Sequence, residues 1–240
     1  MFTSYAQLYE DLVLLRALRH VRRGFYIDVG AQHPAAGSVT KLFYDRGWSG
    51  INIEPVSHWF DLLVEQRPRD VNLRLAVDAV CGEAVLYEIP ESGLSTTVAK
   101  FAERHRAAGW ACRSRSVPAR SLAEICGEYV QGEIHFLKID AEGSEYPILK
   151  GGDFARYRPW IVLIEATEPL TDVPAYQESE AVLFSAGYEF AGTDLLNRYY
   201  VAREHADLKR HIAGGMRMVQ RRVRLIPWLR RVPLVRRFVR

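Results

Sequence analysis

Five acids stand where a polar ligand would meet them. Asp28, Glu54, Asp78, Asp140 and Glu165 each fall at or just after the end of an apolar, strand-like run. In open α/β sheets, ligands bind outside the carboxyl ends of the strands. Gathering several carboxylates at one rim costs energy through like-charge repulsion, and a cation or a hydroxyl-rich ligand offsets that cost. Taken singly, each of these acids also reads as a turn or helix-cap residue.

The first two acids bracket a nucleotide-type pattern. "GFYIDVGAQHP", residues 24–34, is a buried strand carrying Asp28, followed by a turn with Gly30 and then Ala31, Gln32, His33 and Pro34. Glu54 ends the next strand, 26 positions after Asp28, where a dinucleotide fold places the acid that accepts from the ribose hydroxyls. A pyrophosphate needs close backbone approach and helix-end N–H groups, hence several glycines. With one glycine, the turn fits a nucleoside ligand without phosphates, such as S-adenosylmethionine, better than NAD.

Alternating elements must position these residues. The apolar spacing of "SYAQLYEDLVLLRALRH" predicts a helix, with Ser4 and Gln7 as a capping box. Strands are expected at 25–29, in "GINIEP", in "VNLRLAVDAV" as far as Asp78, in "AVLYEIP", in "IHFLKIDAEG" and in "WIVLIEAT". Between them, "SVTKLFYDRG" (N-cap Ser38), "SHWFDLLVEQRP", a segment from about Ala99, "SLAEICGEYV", a helix opened by Ser144 and "ESEAVLFSAG" read as helices. "YEFAGTDLLNRYYVA" reads as a closing pair of strands. The order implies an α/β fold with a mostly parallel sheet covered on both faces and an antiparallel hairpin at its edge.

Composition narrows the class. The chain has 240 residues, 48% hydrophobic and 25% charged, which is globular. Cys81, Cys112 and Cys126 form no C-x-x-C pair, which fits reduced thiols in a cytosolic protein rather than a disulfide framework or a zinc ribbon. No secretory leader is expected, and no run is apolar enough to span a membrane. Nine arginines and no acid fall in 217–240, so with +3 overall the remaining residues carry −6. A mildly acidic body, residues 1–206, with a basic amphipathic tail, residues 207–240, is unlike a uniformly basic nucleic-acid binder. The tail interleaves arginines with Trp228, Leu229 and Phe238. It reads as a segment for an anionic membrane surface at the inner face, with docking onto a partner subunit as the alternative.

"SYAQLYEDLVLLRAL", "FYIDVGAQHP", "SVTKLFYDRGWSGINIEP", "GLSTT", "HFLKIDAEGSEYPILKGGDF", "RPWIVLIEATEP" and "LNRYYVA" stand in the order found in FkbM-type methyltransferases, and the chain resembles that family over residues 4–202. One departure is Ala31-Gln32-His33, where the family often reads Ala-Asn-Asp. The resemblance implies a class I, Rossmann-like sheet of order 3-2-1-4-5-7-6. It also implies S-adenosylmethionine-dependent O-methylation, commonly of sugar hydroxyls in glycans, glycolipids or natural products, and most nearly in bacterial glycan-modifying enzymes.

Residue roles follow on that basis. Glu54 is the ribose acceptor. Gly30 and Ala31 form the cofactor turn, and Asp28 orients it or accepts from the cofactor's amino group. Ser38 and Thr40 open a helix whose N–H groups would receive the cofactor carboxylate, or serve as caps only. Asp78 is placed near adenine or in a plain turn, and Gln7 reaches the cofactor or caps with Ser4. For proton removal from a sugar hydroxyl, Asp140 or His33 is the candidate general base. The alternative is a Mg²⁺-type site of Asp140, Glu142, Glu165 and Glu168, since all-oxygen ligands suit a hard cation. Competing readings are a nicotinamide-dependent oxidoreductase and a non-catalytic, membrane-associated adaptor. The sequence does not fix the oligomeric state.

Overall fold

The computed structural model describes residues 3–194 and 196–224. In chain order the elements are α1 (Glu10–Ala17), β1 (Phe25–Val29), α2 (Lys41–Asp45), β2 (Ser49–Ile53), α3 (Ser57–Gln66), β3 (Val71–Leu73), β4 (Ala76–Val77), β5 (Gly82–Glu88), α4 (Ala99–Ala107), β6 (Arg113–Arg120), α5 (Leu122–Tyr129), β7 (Phe136–Ile139), α6 (Glu145–Lys150), β8 (Ile161–Glu165), α7 (Gln177–Ser185), β9 (Tyr188–Thr193), β10 (Asn197–Ala202) and α8 (Leu208–Arg224).

Seven strands form one sheet in the order β3-β2-β1-β7-β8-β10-β9. Every neighbouring pair from β3 to β8 is parallel, and β10 runs antiparallel to both β8 and β9. Numbered within this sheet alone the order is 3-2-1-4-5-7-6. Along the whole chain it differs from the expected single run, because β4, β5 and β6 leave to form a second, three-stranded sheet. The segment expected as one strand up to Asp78 is therefore two: β3 stays in the main sheet and β4 pairs with β6.

Strand alternation sorts the core into two layers. Ile27, Val29, Leu137, Ile139, Val162 and Ile164 face α5, α6 and α7. Tyr26, Phe136, Ile161, Leu163 and Tyr199 face α1, α2 and α8. On this second face a row of polar residues crosses the sheet in register: Asn72 on β3, Asn52 on β2, Asp28 on β1 and Lys138 on β7. A buried polar row requires partners, and those partners lead to the site.

Two terminal expectations change. Ser4 does not form a capping box; its hydroxyl bonds Asp11 Oδ1 at 2.6 Å, and Tyr9, at φ 66°, precedes α1. The basic segment from 207 onward begins inside the folded body, because Leu208, Ile212, Met216 and Val219 of α8 are buried in the second core layer. Its remainder, 225–240 with Trp228, Leu229 and Phe238, lies outside the described residues. Among the described residues no helix is long and apolar enough to cross a membrane.

Candidate active site

Asp28, 1% exposed, anchors the framework beneath the site. Its Oδ2 accepts from the Thr40 hydroxyl at 2.9 Å, and its Oδ1 lies 3.2 Å from Lys138 Nζ, a charge contact without hydrogen-bond alignment. Lys138 also donates to the Gly30 carbonyl at 2.7 Å and stands 3.5 Å from Asp140 Oδ2. Burial alone would lower the Lys138 ammonium, but Asp28 and then Asp140 hold it above its ordinary range. Thr40 in turn accepts from Arg67 at 3.0 Å. The fully buried Arg67 guanidinium also donates to the Pro34 carbonyl, the Tyr26 hydroxyl and Asp70. Asp28 and Thr40 thus brace the turn from behind, the Ser38 hydroxyl lies 3.3 Å from that of Thr40, and none of the three lines the cavity.

The turn itself joins two strand ends. Gly30 has φ +73°, and a Cβ there would lie 1.8 Å from the Asp140 carbonyl. Only glycine allows that approach, so its first duty is to hold the β1 and β7 termini together. The N–H groups of Gly30 and Ala31 both donate to the Ile53 carbonyl. The next N–H, of Gln32, donates to Glu54 Oε2 at 2.9 Å, and Val56 N–H donates to Oε1 at 2.8 Å. Glu54 is 4% exposed yet sits on the cavity wall. Burial pushes its carboxyl up to about 7, and the two backbone N–H groups and Lys138 restrain the rise.

Beyond β7 and β8, carboxylate oxygens of Asp140, Glu142 and Glu165 come within 4.8 Å of one another. Burial first, then the charge of Asp140, raises Glu142 to about 9 and Glu165 to about 11. Glu165 Oε2 is buried with no hydrogen-bond partner. Glu145, which the sequence reading missed, accepts from the N–H groups of Ala141 and Gly143 and fixes the loop that carries Asp140. Glu142 and Gln32, both non-glycine, adopt φ near +50°, and such left-handed strain gathers at functional sites.

Three expected residues fall elsewhere. Glu168 is not in the carboxylate cluster; Lys100 and Arg104 each hold it at 2.7 Å and lower its pKa. His33 accepts two backbone N–H bonds at Nδ1, from Ala35 and Ala36, and packs on Trp59 outside the cavity lining. Asp78 accepts from Ala79 N–H at the end of β4, also outside the lining.

One cavity of about 750 Å³ brings together Gln7, Gly30, Glu54, Asp140, Glu142 and Glu165, while Ala31 is buried outside its lining. That volume is ordinary for a small-molecule site. Leu75, Ala76, Val77 and Leu86 give it an apolar wall from the second sheet and its approach. Among the described residues six acids line it, and no lysine, arginine or histidine does.

The methyltransferase FkbM domain matches residues 28–190. The chain belongs to the FkbM methyltransferase family. Comparison with curated proteins gives no significant match. Residues 28–190 of this FkbM methyltransferase reach from Asp28 past both the Glu54 and the Asp140 regions, and methyl transfer rather than nicotinamide chemistry is the activity the family supports. The most instructive residue missed is Lys138. A lysine inside the otherwise apolar "FLKI", two positions before Asp140, was the available signal, since i and i+2 on a strand share a face. Glu10, which lines the cavity from α1, carried only the helical signal of its surroundings.

Proposed function

We propose that the chain is an S-adenosylmethionine-dependent O-methyltransferase acting on an uncharged hydroxyl, with a sugar hydroxyl of a bacterial glycan or glycolipid as the acceptor class. The observation that carries this reading is Glu54: a cavity-wall carboxylate with each oxygen fixed by one backbone N–H. A carboxylate oxygen has two lone pairs, so each retains one for a ribose hydroxyl. The apolar wall of Leu75, Ala76, Val77 and Leu86 suits adenine, and a turn with one glycine asks for no pyrophosphate.

When bound, S-adenosylmethionine supplies a methyl group on a sulfonium. Asp140, with 41% of its side chain accessible, would take the proton of the acceptor hydroxyl as that oxygen receives the methyl group. Glu142 and Glu165, raised to about 9 and about 11, hold their own protons at neutral pH and leave the base role to Asp140. Lys138 keeps the Asp140 turn docked on Gly30. Among the described residues no lysine, arginine or histidine lines the cavity to pair with a phosphorylated acceptor, which favours a neutral sugar ring there. Asp140, Glu142 and Glu165 also have the all-oxygen character of a Mg²⁺-type site, and such an ion would acidify an acceptor hydroxyl.

The test is labelled-methyl transfer to neutral and phosphorylated sugars, with and without chelator. Label entering a neutral hydroxyl supports the proposal, and loss on chelation selects the metal reading. Label entering only phosphorylated acceptors, or none, contradicts it.

A further inference from the structure

Helix α8 packs on α1 through two small residues. A Cβ at Gly215 would lie 2.9 Å from Val13 Cα, and one at Gly214 would lie 2.8 Å from Arg16 Nε. Residue numbers rise along α8 as they fall along α1, so the helices are antiparallel. Helix α8 therefore heads toward the end of the molecule where Glu10, the first residue of α1, lines the cavity.

On α8, Arg210, Gly214, Arg217 and Arg221 follow the spacing of a single helical stripe. Gly214 is the gap in that stripe, and the Arg16 guanidinium lies across it. The result is a continuous line of four exposed guanidinium groups, Arg210, Arg16, Arg217 and Arg221. Arg19 extends it, because His211 on the same helix is lowered by burial first and then by Arg210, Arg19 and Arg16, with Asp207 as the one acid opposing them. The nearby acids Glu189 and Glu204 are engaged elsewhere, with Lys209 and Arg203 and with Arg158 respectively. None of the five arginines has an ion pair among the described residues.

We propose that the α1–α8 face is a docking surface for an anionic lipid bilayer, with the stripe of Arg16, Arg210, Arg217 and Arg221 set against phosphate headgroups. The sequence that continues from α8 decides in favour of a bilayer over a nucleic acid. Residues 225–240 add five arginines and no acid, mixed with Ile226, Trp228, Phe238 and other apolar residues. Apolar side chains interleaved with arginine suit a headgroup–acyl boundary and add nothing against a phosphodiester backbone. The surface is separate from the catalytic residues, so the proposal stands or falls apart from the methyl-transfer reading.

The experiment is co-sedimentation of the full chain with vesicles of phosphatidylcholine alone and of equal parts phosphatidylcholine and phosphatidylglycerol. Wild type is expected to bind the anionic vesicles and to release them in high salt. The triple variant R16A/R217A/R221A is expected to bind about a hundredfold more weakly, at about fivefold for each arginine near an anionic surface. The charge-keeping R16K/R217K/R221K is expected to stay within a few-fold of wild type, and thermal melts of both variants report their folding. Equal binding by wild type and a folded alanine variant would overturn the proposal, as would loss of binding only on deletion of residues 225–240. Preference for duplex RNA or DNA over the anionic vesicles at the same salt would overturn it too.

Discussion

Glu54 and Glu165 are both glutamates at the ends of parallel strands, both sheltered from solvent, both on one cavity wall. They differ in what holds them. Glu54 has a backbone N–H on each oxygen and is pushed up only to about 7. Glu165 has a buried oxygen with no partner, faces Asp140, and is pushed up to about 11. The contrast teaches that burial alone does not set the role of a carboxylate. Backbone donors turn one into a rigid acceptor for hydroxyls. Their absence beside another acid turns its counterpart into a neutral, proton-holding group.

The comparison can be broken at each end. Asp140→Asn removes the one carboxylate of the cluster assigned to proton uptake, and kcat should fall by about 10²–10⁴. Binding of S-adenosylmethionine should stay near wild type, as a calorimetric titration would show; an active Asp140→Asn would shift the base role away from the cluster. Glu54→Gln keeps the shape but weakens two charge-assisted hydrogen bonds, and affinity for the cofactor should drop about 10- to 100-fold. Turnover at saturating cofactor should change far less, and a split of kcat against KM reads the difference.

Glu165→Gln tests the other side. A carboxyl with a raised native pKa binds a proton that the unfolded chain has already lost, so stability falls as pH rises from about 4.5, the ordinary value, toward about 11. Each pH unit within that window costs at most about 1.4 kcal/mol. At pH 8 the amide should therefore melt a few degrees higher than wild type, with the gain shrinking toward pH 5. Melting curves at the two pH values would reveal it, and an amide that is equally stable or less stable at pH 8 would mean that Glu165 is not held neutral.

Much of this was legible in the sequence because apolar runs become central strands. The stretches holding β1, β2, β7 and β8 each end at the acid expected, and Glu54, Asp140 and Glu165 do meet in one cavity. The second sheet was not legible as such. Arg113–Arg120 has three arginines and a proline and buries only Val117 and Ala119, so one-sided burial in a small sheet left little periodic signal. Its partner β4 is two residues long and continues an apolar segment that reads as one strand. Asp28 was legible as a residue that orients the turn or meets the cofactor's amino group, but its partners were not, because Thr40 and Lys138 reach it from distant parts of the chain. His33 and Glu168 were drawn toward the chemistry by residue type, and local backbone donors in one case and two cations in the other hold them away from it.

The central claim is that Glu54, ionised and fixed by Gln32 and Val56, grips the ribose of S-adenosylmethionine. Hydroxyl donors favour the charged carboxylate, so binding should draw off the proton that Glu54 carries below about 7. Calorimetric titration of wild type and Glu54→Gln at pH 6 and pH 8 tests this directly. The account predicts wild-type affinity roughly tenfold weaker at pH 6 than at pH 8, and a Glu54→Gln affinity that is weak and flat across both. Equal affinity of the two proteins at pH 8, or the same pH dependence in both, would contradict it.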